Sequence, residues 1–414
     1  MKLLLVGNHT CGNRGDAAIL RGIVHYIGKQ FPQHSIDLVS RYPTSSEYLL
    51  NEPFQIDTLF SYHQNYTSHM DRIWKSFSRI VVPLLLEFTL IFKYQFYLPK
   101  HVKEYIQSLK EYDAVIHVGG SFFVDLYGTV QFEHSLCALI ANKPLYMLGH
   151  SVGPFHRSQF NRIARKVFSR VKMLGLRESI SLDLLKDAHI DVSKVFLGAD
   201  TAWLVNTNEL AQVDNIQALI SQRPTIAMTM RELAPFDKRL GVTQEEYEVA
   251  FAKLADQFIE LGHQVLVFST CTGIDSYHKD DRMVALRVAR KVKVSEYFHV
   301  VMDELNDVEL GSLLRSCQLT IGTRLHSAII SMNFGTEAIA LNYEHKSAGI
   351  MQQLGMQDNA LEVTSLFDGR LFSRSIKCLD EKQHSALEIK NKVLEEKSKA
   401  GNMVLTAIND AEGR

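Results

Sequence analysis

The sequence predicts an α/β protein of two doubly wound, Rossmann-like domains facing each other across a cleft. Three observations support this. A chain of 414 residues is too long for one ordinary core. Short buried apolar runs alternate with helical patterns along most of it. Run after run also closes on glycine followed by a charged or hydroxyl residue, and the carboxyl ends of strands are where open α/β sheets bind ligands.

Composition narrows the class. With 46% hydrophobic residues, 22% charged and nine prolines, the chain is globular rather than disordered. A formal net charge of −1 gives bulk electrostatics no reason to favour nucleic acid, and no nucleic-acid partner is expected. The five cysteines are scattered without a C-x-x-C pair, which points to reduced thiols in the cytosol rather than a zinc ribbon or disulfide framework. Met1 to Gly7 is followed at once by polar residues and reads as a first strand, not a signal peptide. The run Ile80 to Phe92 is interrupted by Pro83 and Glu87 and is too short to span a bilayer.

Lys2 to Gly7 is expected to be a strand, and Ala17 to Ile27 an amphipathic helix. The loop between them, Gly12-Asn13-Arg14-Gly15-Asp16, is either a phosphate cradle at a helix N-terminus or a tight turn capped by Asp16. Ser35 to Ser40 reads as the second strand. From Pro43 to Lys100 the pattern loosens into aromatic residues (Tyr62, Trp74, Phe77, Phe88, Phe96) among Arg72, Lys75 and Arg79. Such a segment is either a folded excursion of its domain or a surface that meets a membrane and a lipid-linked acceptor. Asp113 to Val118 is a buried strand leading to Gly119-Gly120-Ser121, where paired glycines would let backbone approach a ligand. Lys143 to Gly149, Met173 to Leu176 and Lys194 to Leu197 follow as strands; the last two end in Arg177-Glu178 and Gly198-Ala199-Asp200.

Asn206 to Pro224 reads as a linker, dividing an N-terminal domain 1–205 from a C-terminal domain 222–375. The remainder, 376–414, reads as a helix crossing back between the domains. Thr225 to Met230 opens the second domain and ends in Arg231-Glu232. The loop Thr270 to Arg282 carries Asp275, Asp280 and Asp281 but lacks the glycine and glutamate of a calcium loop, so no metal is expected there. The stretch from Leu313 to Gly355 carries the densest signal. Cys317 to Thr323 reads as a strand, with Thr323 as N-cap of a helix whose first turn holds Arg324-Leu325-His326. Ala338 to Leu341 is a neighbouring strand that runs into a second polar cluster with Glu344 and Lys346. Arg324 and His326 either merely solvate a helix start or, with that cluster, face one anionic ligand.

The segments GNRGD (12–16), VGGSFF (118–123), LGHSVGPF (148–155), RELAPFDKRLG (231–241) and GTRLHSAIISMNFGTEAIALNYEHKSAG (322–349) resemble the polysaccharide pyruvyl transferase family, within it those acting on colanic acid. The resemblance covers nearly the whole chain and is weakest at about 62–110 and after 358. It implies a GT-B-like fold, and transfer of pyruvate from phosphoenolpyruvate onto two hydroxyls of a sugar as a cyclic ketal. The Arg-Leu-His motif and a preceding arginine, here Arg324-Leu325-His326 and Arg231, would contact the donor. The acceptor it implies is a terminal galactose of an exopolysaccharide repeat on a lipid carrier. That places the chain in the cytoplasm, with room for peripheral contact at the inner face of the membrane.

The donor's chemistry agrees with these residues. A carboxylate and a phosphate need at least two cationic groups, and the planar fork of arginine suits both. Protonating the methylene carbon needs an acid that titrates near neutrality, for which His326 is the natural candidate. Arg324 and Arg231 would clamp the donor and Lys346 assist the leaving phosphate. Glu178, Asp200 or Glu344 could serve as base, and the residues do not rank them. The arginines supply the charge that a metal supplies elsewhere, so neither metal nor cofactor is called for beyond phosphoenolpyruvate as donor substrate. Two other classes stay open: a nucleotide-sugar glycosyltransferase of the same fold, and a non-catalytic scaffold of a polysaccharide assembly complex. Oligomeric state is not legible.

Overall fold

The structure is a computed structural model and describes residues 1–208, 211–275, 277–342 and 345–414. It divides into two compact units. The first comprises Met1–Thr10, Ile19–Leu204 and Lys397–Arg414, and the second Cys11–Ala18 and Val205–Glu396. The division is discontinuous in sequence. The glycine-bearing segment Cys11–Ala18 counts with the second unit, although the strand before it belongs to the first.

The first unit is built on seven strands: β1 (Lys2–Asn8), β2 (Ser35–Ser40), β3 (Phe54–Ile56), β4 (Ala114–Phe123), β5 (Leu145–Val152), β6 (Met173–Leu176) and β7 (Val195–Leu197). Their order is β3-β2-β1-β4-β5-β6-β7, every pair parallel, so the order reverses between β1 and β4. Strands covered on both faces read as continuous apolar runs, and Leu3, Leu5, Val115, Met147 and Leu174 are all buried.

One expectation needs correction here. The strand does not end before Gly119-Gly120-Ser121; these residues, with Phe122 and Phe123, continue β4. A Cβ on Gly119 would lie 2.5 Å from the Gly149 carbonyl oxygen, so this glycine serves the close approach of β4 to β5 rather than that of a ligand. Pro83 lies inside a continuous helix. His69–Phe92 is one helix of 24 residues, N-capped by Ser68, whose hydroxyl accepts from Asp71 N at 3.1 Å. Val82, Leu86 and Leu90 on its inner face join the core of the unit.

The second unit carries six parallel strands: β8 (Thr225–Thr229), β9 (Gln264–Phe268), β10 (Phe298–Val300), β11 (Leu319–Gly322), β12 (Ala338–Asn342) and β13 (Ala360–Glu362). Their order is β10-β9-β8-β11-β12-β13, with the reversal between β8 and β11. Both sheets are therefore doubly wound in the Rossmann manner. The stretch read as a linker contains a helix, Asp214–Ile220, which buries Ile216 and Ile220. Arg370–Glu412 is one helix; its residues through Glu396 count with the second unit and those from Lys397 with the first.

All five cysteines are buried free thiols. Among the described residues no helix is long and apolar enough to cross a membrane, and no cluster of His, Cys, Asp or Glu could hold a metal ion.

Candidate active site at the strand reversal of the second unit

In the register of β8 with β11, Thr229 stands opposite Gly322. Arg231 lies two residues beyond the first and Arg324 two beyond the second, so the paired sheet delivers both arginines to the point where the strand order reverses. Ligands of open α/β sheets bind at such points. A crossbrace joins the two strand ends. The Tyr247 hydroxyl pairs with the Thr323 hydroxyl at 2.6 Å and accepts from Arg231 N at 3.3 Å. Burial raises the pKa of this phenol and keeps it protonated.

Thr323 is therefore not the helix cap expected of it. The helix is Leu325–Asn333 and Arg324 occupies the cap position without a side-chain cap bond. Freed from capping the helix, the Arg324 guanidinium grips Asp281 through two bonds, Nε to Oδ2 at 2.7 Å and Nη2 to Oδ1 at 2.8 Å. This pair fixes the plane of the guanidinium. Arg231 is buried; its Nε donates to the Glu232 carbonyl at 2.9 Å and its guanidinium lies 5.3 Å from the Phe236 ring centre.

A third cation belongs here. The pKa of Lys279 is lowered by desolvation and then by Arg231 and Arg324, against the opposing pull of Cys271 and Asp281. Tyr277 and Cys271 stand alongside. Burial pushes the Cys271 thiol up to about 11 and raises the Tyr277 phenol, to which the nearby charge of Asp16 also contributes. Sequence reasoning missed Lys279, because the loop was searched for carboxylates that might bind calcium. The available signal was a lysine between that loop's aromatic and acidic residues.

The Cys11–Ala18 segment docks on this loop. Asn13 bridges Cys271, Arg14 N donates to the Thr270 carbonyl at 2.8 Å, and Thr272 N donates to the Gly12 carbonyl at 2.9 Å. Arg14 is the pin. Its buried guanidinium donates to the carbonyls of Cys11 at 3.1 Å and Gly12 at 2.8 Å, to the Thr272 hydroxyl at 2.9 Å, and to Leu305 O and Glu304. Pinning sets Gly15 against His326, where the added atom of any larger residue would overlap the imidazole. Asn13 Oδ1 accepts from Gly15 N at 3.1 Å. The helix Arg14–Gln30 begins earlier than expected and holds Asp16 in its first turn. Arg231, Arg324, His326, Asn13 and Asp16 are thus carried by one unit, with Leu325 half-buried beside them. Glu344 lies outside the described residues, as does the side chain of Lys346.

The remaining candidates belong to the first unit and are tied up in it. Glu178 caps the helix Ser179–Asp187, accepting from Ser181 N at 2.9 Å and from the Ser181 hydroxyl. Asp200 receives Arg177 Nη1 at 2.6 Å and Ala202 N at 2.9 Å. Ser121 Oγ accepts from Arg177 Nη2 at 2.8 Å. These bonds define a buried network around Arg177, each carboxylate already accepting from partners within the unit.

Two doubly wound parallel-sheet domains define a GT-B-like protein. The family model described as polysaccharide pyruvyl transferase matches residues 13–345, and the chain belongs to that family. It is 53% identical over 401 residues to the amylovoran biosynthesis protein AmsJ of Erwinia amylovora, the match covering 96% of each chain. Among solved structures it resembles the UDP-GlcNAc 2-epimerase of Neisseria meningitidis, with a TM-score of 0.62 and 10% identity over 99% of this chain and 100% of that one. HepE of Anabaena, solved with UDP-glucose, gives 0.57 and 13% over 100% of this chain and 98% of that one. At such identities the likeness establishes the fold, not the substrate.

Proposed function

We propose that this chain transfers the pyruvate unit of phosphoenolpyruvate onto a sugar of an exopolysaccharide repeat, as a cyclic ketal. The observation that carries the reading is the delivery of Arg231 and Arg324, the latter two residues before His326, to one strand reversal; the field of both arginines acts on Lys279 of the neighbouring loop. A small ligand with both a carboxylate and a phosphate suits such a set of cations, of which Arg324 is already oriented by Asp281. In this reading Arg231 and Arg324 hold the two oxyanions, and Lys279 joins whichever bears the greater charge. His326 gives a proton to the methylene carbon of the enol ester, leaving the adjacent carbon electrophilic. One sugar hydroxyl adds there and inorganic phosphate departs with its oxygen. The second hydroxyl then closes the ring, and both hydroxyl protons pass to a base or to water. Lys346 and Glu344 remain candidates for the leaving phosphate and the base.

The family and the AmsJ relative support an exopolysaccharide acceptor. Terminal galactose of a colanic acid-type repeat, carried on lipid and met in the cytoplasm at the membrane's inner face, is the finer form we propose. The decisive assay incubates the chain with phosphoenolpyruvate and a galactoside, following phosphate release and product mass. We expect a product heavier by one ketal-linked pyruvate. His326→Ala should lower turnover ~10²- to 10⁴-fold, and Arg231→Lys and Arg324→Lys should each weaken donor binding despite keeping the charge. A chain that ignores phosphoenolpyruvate but consumes a nucleotide sugar would overturn the reading in favour of a glycosyltransferase.

A further inference from the structure

The helix His69–Phe92 packs on the first unit through Val82, Leu86 and Leu90, yet its opposite face is also apolar. Ile73, Trp74, Phe77, Ile80, Phe88 and Ile91 are all exposed, as is Met70 before them. Positions separated by three, four, seven or eighteen residues share one helical face, so these side chains form a single stripe along the helix. Tyr94 and Phe96 extend the exposed aromatic surface just past its end. Monomeric proteins rarely leave so large an apolar surface to water without a use for it.

Charge beside the stripe says what covers it. Glu87 follows Ile80 by two turns and so stands at the stripe's edge. It holds two cations of a neighbouring helix, Arg162 (Nε to Oε1, 2.9 Å) and Lys166 (Nζ to Oε1, 2.5 Å). That helix, Ser158–Phe168, lies in a stretch from Arg157 to Lys172 with six basic residues and no acidic one. Arg157, Arg162, Arg165, Arg170 and Lys172 are exposed. An aromatic apolar stripe beside a basic stretch, two of whose six cations share Glu87, matches the boundary between acyl chains and anionic headgroups. The helix is not long and apolar enough to cross a membrane. We infer that this face docks the chain, flat, on an anionic phospholipid surface. The inference does not depend on the proposed transfer reaction.

The two tryptophans provide the test. Trp74 is 61% exposed and Trp203 fully buried, so a spectral change on adding vesicles reports Trp74. The full chain is mixed with phosphatidylcholine vesicles that contain phosphatidylglycerol, and emission and co-flotation are measured. We expect a blue shift that Trp74→Phe abolishes without abolishing flotation. Ile73→Gln with Phe77→Gln and Ile80→Gln should lose at least about tenfold in partitioning while keeping the wild-type melting temperature. Arg157→Gln with Arg165→Gln and Arg170→Gln should lose about a hundredfold, near fivefold per charge. Failure to float with the anionic vesicles overturns the inference, and so does equal flotation with pure phosphatidylcholine. A concentration-dependent dimer that the stripe variant dissolves, with no vesicle binding, assigns the face to a second copy instead. Because binding is read without turnover, failure here is distinguishable from failure of the proposed reaction.

Discussion

Gly15 and His326 fit together only because one of them has no side chain. A Cβ on Gly15 would lie 2.3 Å from Nδ1, 2.5 Å from Cγ and 2.8 Å from Cβ of His326, too close for any side chain there. The segment around Gly15 cannot drift to relieve this, since Arg14 is bonded on both sides of the site loop. The proton-bearing ring proposed for catalysis is thus positioned by a residue some 300 positions away in sequence.

Gly15→Ala should therefore move His326 and lower turnover by about 10- to 100-fold, since small misplacements of reacting groups cost this much. Phosphate release under saturating donor checks it. Gly28, in the same helix, is the control. It meets nothing within 4 Å, so Gly28→Ala should leave turnover unchanged and stabilise the chain by about 0.5–1 kcal/mol. Unchanged turnover in Gly15→Ala would mean that the imidazole's place does not matter to the reaction.

Acid should attack the first unit through Asp57. Burial alone would raise this carboxyl, but His134, with Arg41, holds it down to about 2. His134 Nε2 lies 3.2 Å from Asp57 Oδ1. A depressed folded pKa stabilises above the ordinary carboxylate value of about 4 and loses that contribution as pH falls toward 2. Asp57 also caps the helix Thr58–Gln64, accepting from Phe60 N at 2.9 Å, and an asparagine keeps this bond. Asp57→Asn thus removes the charge alone. It should cost about 2–3 kcal/mol at neutral pH, and denaturation curves of the two proteins should converge near pH 2. A constant difference across that window would show that the charge is not the source.

The sheets were legible where strands covered on both faces are apolar throughout, as in β6, which matched its expected limits; β2 matched too, though it begins exposed and carries Asp37. What misled was local chemistry overruled from a distance. Thr323 has every property of a helix cap, but Tyr247, far away in sequence, takes its hydroxyl. Gly119 and Gly120 look like loop residues, yet they let two strands meet. Pro83 removes a bond to residue 79, but Arg79 is exposed and water can satisfy its carbonyl, so the helix continues. The bonds of Glu178 to Ser181 and of Asp200 to Arg177 and Ala202 could not be read from the residues around them. Arg231, Arg324 and His326 could be singled out because each follows closely on a short apolar run read as a strand. Lys279 could not, since nothing local tells a solvated loop lysine from one held near two arginines.

Lys279 gives the last prediction, in which stability and binding should move in opposite directions. Its pKa is lowered, first by desolvation and then by Arg231 and Arg324. The protonated form is therefore disfavoured in the folded protein relative to the unfolded chain. Stability is reduced below the folded pKa and recovers as pH rises toward the ordinary lysine value of about 10.4, where both states have lost the proton. Lys279→Met removes that repulsion and should raise the melting temperature at neutral pH, the gain shrinking as pH rises into that range. An anionic donor reverses the balance, because it attracts the same charge that the arginines repel. The variant should therefore bind phosphoenolpyruvate about tenfold or more weakly. In the wild type, affinity should fall on the alkaline side sooner than an ordinary lysine would cause, and the variant should lack this limb. Calorimetric titration in buffers of different ionisation enthalpy would show proton uptake on donor binding in the wild type and its loss in the variant. A variant that is stabler yet binds donor as tightly as wild type would remove Lys279 from the donor site while leaving its repulsion by the two arginines intact.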